Sequence, residues 1–285
     1  MRISLRPLLL CFAFAAAGAL AQEAAKPEAR LYEPTIGQEG KDVVWVPTPD
    51  VLVEKMLDLA KVTAQDYVMD LGSGDGRNII AAAKRGARGR GVEYNPDMVE
   101  LAKALAAKAG VADKAEFVRG DMFEADISQA TVMALFLLPD NLSRLIPKFI
   151  DLKPGTRMVL NGFAVPGWDA DVTERAEGDC GSWCTAYLYF VPAKVAGTWQ
   201  LPQGQLVLEQ TFQKVTGKLS QGGKRMDITD GLLKGDILTF TAGGAKYEGR
   251  VNGETMSGMG GAWTAKRVAV APVRTSLAPA SEKRY

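Results

Sequence analysis

Three glycines and two aspartates share a single short stretch, VMDLGSGDGRN at residues 68–78, directly after an apolar run. The turn reads G-x-G-x-G at Gly72, Gly74 and Gly76, and glycine permits torsions and a close backbone approach that a Cβ would block. A dinucleotide fingerprint needs G-x-G-x-x-G, with its pyrophosphate on the following helix N-terminus. Here the last spacing is one residue shorter, and Asp70 and Asp75 bracket the turn. Two carboxylates would repel a pyrophosphate strongly where solvent is partly excluded, so they suit a cation. Asp75 has a second reading, as a residue that only holds the turn.

Two more acidic residues extend the pattern. Glu93 closes the second expected strand, where a carboxylate can accept from both hydroxyls of a ribose. Asp121, in RGDMF, follows a third strand and is placed to accept from an adenine amino group. S-adenosylmethionine carries an ammonium, a sulfonium, a ribose and an adenine but no phosphate, and it fits this set better than NAD. Each residue alone reads equally well as a solvated carboxylate at a strand end; the force lies in four features in the right order. The chain has no histidine, which excludes Ser-His, Cys-His and His-metal chemistry.

These residues need a scaffold of strand ends. Apolar runs predict strands at 67–71, 89–93, 115–119, 131–137 and 158–163, alternating with helices at 76–85, 96–109 and 140–150. That alternation implies an α/β fold with a parallel, doubly wound, Rossmann-like sheet. TAYLYFV adds an antiparallel edge strand, with a weaker partner within 169–174, giving seven strands. Before the sheet, Thr48 reads as an N-cap and Pro49 as the first residue of an amphipathic helix carrying Val51, Leu52, Met56, Leu57 and Leu59. From about Ala193 the pattern becomes short β segments with glycine turns, an antiparallel meander closing into a small barrel or sandwich. The expected divisions are a signal peptide at 1–21, a flexible leader at 22–41, the cofactor-binding domain at 42–192, the β domain at 193–268 and a disordered tail at 269–285.

Composition narrows the partners. The 285 residues are 47% hydrophobic and 24% charged, ordinary for a folded chain, and Lys+Arg 34 against Asp+Glu 33 gives no basic excess to attract nucleic acid. Arg2 and Arg6 precede an apolar run, and Ala19-Leu20-Ala21 is a small-residue cleavage site before Gln22. This reads as export to the periplasm. The apolar run is shorter than the roughly 20 residues that span a bilayer, so a permanent N-terminal anchor is the alternative only if cleavage fails. Cleavage also removes Cys11. The remaining pair in DCGSWC, Cys180 and Cys184, reads either as a disulfide-closed loop of an oxidising compartment or as two thiols beside Trp183, and a metal site is not expected.

Across residues 44–191 the chain resembles the class I S-adenosylmethionine-dependent methyltransferases. VPTPDVLVEKMLDLA, VMDLGSGDGRNIIAAAKRGARGRGVEYNP, FLLP and LKPGTRMV look like the protein-lysine methyltransferases that modify the c-ring protein of ATP synthase or the adenine nucleotide translocase, and their bacterial relatives. More distantly they look like seven-strand histone-lysine methyltransferases. The resemblance implies that Asp70, Gly72, Ser73, Gly74, Gly76, Glu93 and Asp121 hold the cofactor and that residues 45–48, ending at Thr48, close over it. It also implies that Phe136, Leu138 and Pro139 of FLLP lie beside the transferred methyl. Asp140 and Asn141 are candidates for orienting an incoming amine, or else residues of a helix start. Two departures stand out: Trp45 occupies the first position of the family's Y-x-P-T element, and the Asn/Asp-Pro-Pro-Tyr pattern of base-methylating enzymes is absent after the fourth strand. The implied acceptor is a protein lysine or another amine. The competing reading is an exported binding protein without turnover, its β domain, which the resemblance does not cover, holding an envelope ligand.

Overall fold

The computed structural model describes residues 31–275, so the expected export signal, the first part of the expected leader and the end of the expected tail lie outside the described residues. The first helix, α1 (Asp50–Leu59), precedes a run of β1 (Tyr67–Leu71), α2 (Arg77–Lys84), β2 (Arg88–Glu93), α3 (Pro96–Lys108), β3 (Ala115–Arg119) and β4 (Val132–Leu135). Then come α4 (Pro139–Phe149), β5 (Arg157–Asn161), β6 (Val172–Arg175) and β7 (Thr185–Phe190). The seven strands order as β3-β2-β1-β4-β5-β7-β6, with β1 to β5 parallel. The order reverses between β1 and β4, and their carboxyl ends form the crevice where such sheets bind ligands.

Burial on both faces explains why β1 and β4 read as nearly continuous apolar runs. Leu52, Met56, Ile79, Val99 and Ala102 pack α1, α2 and α3 on one face of the sheet. Leu142, Leu145, Ile146 and Phe149 of α4 cover the other. Two expectations, the cap of α1 and the end of the fourth strand, are corrected. Thr48 does not cap α1: Pro49 holds that position, its carbonyl accepts from Leu52 and Val53, and the Thr48 hydroxyl accepts from Asn161 Nδ2 at 3.2 Å instead. TAYLYFV supplies the antiparallel edge together with its weaker partner, since β7 pairs with β5 on one side and with β6 on the other. The fourth strand stops at Leu135, so residues 136–138 leave the sheet before α4 begins.

The remaining strands are β8 (Gly197–Leu201), β9 (Gly204–Thr211), β10 (Lys214–Gln221), β11 (Lys224–Lys234), β12 (Ile237–Ala242), β13 (Ala245–Asn252), β14 (Thr255–Gly258) and β15 (Thr264–Val270). Each pairs antiparallel with the next, and β15 pairs with β8 to close an eight-stranded barrel. Trp199, Leu206, Leu219, Leu238 and Phe240 fill it, as expected for a closed barrel of this strand number. β15 continues to Val270, two residues into the stretch expected to be tail.

The segment QLVLEQTFQKV reads as one strand but reverses direction at Phe212 and Gln213, the two-residue turn that joins β9 to β10, and Phe212 has φ 48°. The turn throws the Phe212 ring out of the barrel and into the core beneath the sheet, where it stacks on Trp168 at 4.9 Å. Buried Gln210 donates to the carbonyls of Ala193 and Phe212 and accepts from Val195 N, and Gln213 donates to Asp169 O. These bonds satisfy backbone groups of three connections, Ala193 and Val195 between sheet and barrel, Phe212 in the β9–β10 turn and Asp169 before β6. Among the described residues, no helix is long and apolar enough to cross a membrane.

Candidate active site

The glycine turn departs from the end of β1. Gly72 N and Ser73 N both donate to Val92 O, at 2.8 and 3.1 Å, and Gly76 N returns to Ser73 O at 2.9 Å. Gly72, Gly74 and Gly76 all have positive φ, 71°, 54° and 81°. Space is as restrictive as torsion: a Cβ on Gly74 would lie 2.6 Å from the Trp45 indole nitrogen, and one on Gly76 would lie 2.5 Å from the Phe117 ring. The Ser73 hydroxyl is buried without a hydrogen-bond partner among the described residues.

Asp70 ends inside this turn with only 3% of its surface exposed. Burial pushes its carboxyl well above the usual carboxylate range; Asn78 Nδ2, donating at 3.0 Å, opposes the rise, and Glu93 and Asp75 add to it. Such a group is stabilised by an incoming cation. Asp75 does hold the turn. Its carboxylate accepts from Arg77 Nε at 3.0 Å and Nη2 at 2.6 Å, while Arg77 Nη1 donates to Thr48 O at 2.7 Å. Arg77 therefore fastens the segment before α1 to the glycine turn.

Glu93 splits its carboxylate between Gly74 N and Asn95 N, both at 2.9 Å, and lines the cavity with acceptor capacity left on each oxygen. Asp121 accepts from Phe123 N at 2.8 Å and from the Lys41 ammonium, which lowers its carboxyl below the ordinary value together with the Phe123 amide. Lys41 also lies 5.0 Å over the Tyr94 ring. It belongs to a strap, residues 38–46, that lines the cavity; Gly37 N donates to Trp45 O and Trp45 N to Gln38 O, so part of the expected leader is folded over the site.

The cavity encloses about 300 Å³ between this strap, Glu93, Asp121, Gly72 and the segment after β4. Thr48, Asp70, Ser73 and Gly74 line a smaller recess beside it, and Trp45, Val46, Gly72 and Phe136 border both. Leu138 lines the cavity. Pro139 and Asp140 are exposed on the first turn of α4 and contribute nothing to its wall, while Asn141 is buried beside them with its amide nitrogen unpartnered among the described residues.

The profile of the ANTKMT methyltransferase domain matches residues 70–172, which begins at Asp70 and ends in β6. A protein-lysine N-methyltransferase of Saccharolobus islandicus is 44% identical over 153 residues, covering 52% of this chain and 94% of that protein. The chain is a member of the ANTKMT-type family of S-adenosylmethionine-dependent methyltransferases. A Mus musculus lysine N-methyltransferase named for the c-ring protein of ATP synthase is 32% identical over 130 residues, covering 45% of this chain and 52% of the relative, so the chain spans about half the length of that protein. The solved RNA methyltransferase from Salinibacter ruber in complex with S-adenosyl-L-homocysteine is 47% identical, covering 53% of this chain and 96% of that one, with a TM-score of 0.49.

The methyltransferase site holds residues that sequence reasoning missed. Asn78 and Arg77 lie just past the glycine turn but act on Asp70 and Thr48, contacts that no local pattern announces. Asn161 reaches Thr48 from the end of β5. Phe163 and Trp183 line the cavity from two later connections. The only advance signal was the placement of Trp183 between two cysteines.

Proposed function

We propose that this methyltransferase modifies an amine nitrogen, most specifically the side chain of a protein lysine. The observation that carries the reading is the wall beside Phe136: apolar, aromatic and without histidine, it can strip water from an incoming ammonium and so favour the neutral amine. The relatives named as lysine methyltransferases support it.

The residues present suit the cofactor. Asp70, a buried carboxylate with a raised pKa, would take its ammonium; Glu93 its ribose hydroxyls; and Asp121 its adenine amino group, once Lys41 yields. Gly72, Gly74 and Gly76 allow the backbone to pass close, and Ser73 and Thr48 line the same recess. When bound, S-adenosylmethionine supplies an electrophilic methyl on a cationic sulfur. Phe136, which borders both parts of the site together with Trp45, Val46 and Gly72, would lie beside the acceptor. The chain contributes alignment and exclusion of water rather than a general base.

Labelled cofactor with an envelope extract and lysine peptides tests this. The expected result is label on lysine Nε by mass spectrometry; label on RNA, or cofactor binding with no labelled amine, overturns it. We extend the proposal to an exported, periplasmic enzyme. Its support is the pairing of Cys180 with Cys184, which suits an oxidising compartment. A mature chain beginning at Gln22 is expected, and Met1 retained on protein from the cytoplasm overturns it.

A further inference from the structure

The segment DCGSWC lies in the connection from β6 to β7. Because β7 runs antiparallel to β5, with Ala186 opposite Asn161, this connection overhangs the carboxyl end of β5, where the cavity opens. Cys180 and Cys184 are joined with their Cα atoms 5.2 Å apart, and Trp183 N donates to Cys180 O at 2.8 Å. Ala176 N closes the base of the loop on Cys184 O, also at 2.8 Å.

Trp183 is the one bulky residue between the cysteines. Its ring meets Phe136 at 5.0 Å and Phe163 at 5.5 Å, and those two rings stack 6.2 Å apart. Gly162 makes the approach possible: it has φ 70°, and a Cβ there would lie 2.8 Å from the Trp183 ring. All three rings line the cavity. The indole N–H of Trp183 is the one polar group among these three side chains, and the aromatic faces attract an arriving alkylammonium and pack on its methylene chain before its proton is lost.

We propose that Trp183, braced by the Cys180–Cys184 disulfide, is a specificity-determining residue: with Phe136 and Phe163 it forms a slot that selects an acceptor presenting an unbranched alkyl chain with a terminal amine. The bridge removes loop freedom that the acceptor would otherwise have to restrict on binding. This rests on the amine-acceptor reading above.

The test uses the full mature chain loaded with S-adenosylhomocysteine and titrated with n-butylamine, a mimic of the lysine side chain, by calorimetry. Trp183→Ala is expected to weaken butylamine binding about tenfold and to raise KM for a lysine peptide more than it lowers kcat, with S-adenosylhomocysteine affinity kept. Trp183→Phe should recover most of the loss, and reduction of the bridge, or Cys180→Ser with Cys184→Ser, should weaken the amine in the same direction. Unchanged butylamine affinity in Trp183→Ala, or a parallel loss of S-adenosylhomocysteine affinity, overturns the proposal. If lysine peptides take label and Trp183→Ala leaves their KM unchanged, this inference fails while the lysine reading stands. If butylamine binding depends on Trp183 but no lysine is labelled, the lysine reading fails and the slot stands.

Discussion

Asp70→Asn separates the cost of the cofactor site from its use. The carboxylate is buried, its pKa is raised by desolvation, and its one side-chain donor is Asn78 Nδ2 at 3.0 Å. An asparagine keeps the shape and can still accept from Asn78 through its carbonyl, which turns its own NH₂ toward the recess. The free protein should therefore melt at the same or a higher temperature than wild type, because an uncompensated buried charge has been removed. Cofactor binding should move the other way. Truncating one partner of a buried, hydrogen-bonded charge pair costs about 2–5 kcal/mol, which is a loss of roughly thirtyfold or more in Kd for S-adenosylhomocysteine. Calorimetry and thermal melts on the same samples check both signs. The pH dependence adds a third. A raised carboxyl contributes stability that is present below its unfolded value and lost as pH rises through the folded one, so the free wild type should lose stability across that window and the variant should not. Cofactor affinity, which needs the ionised form, should fall as pH drops through the same raised value in wild type and stay flat in the variant. A variant that binds within threefold of wild type would refute the assignment of Asp70 to the ammonium.

Three further outcomes are expected. Phe212→Ala should lower stability by about 3–5 kcal/mol in urea unfolding, because the ring stacks on Trp168 inside the core beneath the sheet, and a loss under about 1 kcal/mol would show that the barrel is not anchored there. Gly76→Ala combines φ 81° with a clash against Phe117 and should cost about 2 kcal/mol or more, read from the same unfolding midpoint. Burial pushes the Asp66 carboxyl up, but the Thr63 amide, the Thr131 hydroxyl and Arg157 outweigh it and hold the carboxyl below its ordinary value. Its stabilisation is thus present above the unfolded value of about 3.9 and lost as pH falls through the folded one; Asp66→Asn should flatten the acid limb of the melting profile.

Much of the site was legible because its parts sit at the ends of strands. Asp70, Glu93 and Asp121 each lie at or just past the carboxyl end of a segment that reads as a strand, so position along the chain already implied position at the crevice. The glycines of the turn announced positive φ, and the structure adds that Trp45 and Phe117 fill the space their side chains would take. The split between a doubly wound sheet and an antiparallel barrel was equally local, since it rests on periodicity and turn residues. Asp140 was misleading: FLLPD reads as a strand end followed by a polar residue, yet the strand stops at Leu135 and Asp140 faces solvent from α4.

What the sequence by itself determined was the set of groups whose partners are near in the chain or whose roles follow from strand and turn grammar: the glycine turn, its acidic company, the order of the elements. What only the tertiary structure decided was every pairing across long separations. Arg77 ties the turn to Thr48, Lys41 covers Asp121, Phe212 enters a core that belongs to the sheet, and Phe163 and Trp183 complete the wall begun by Phe136. These contacts depend on which surfaces meet once the chain has folded, and a local pattern of residue types carries no record of that.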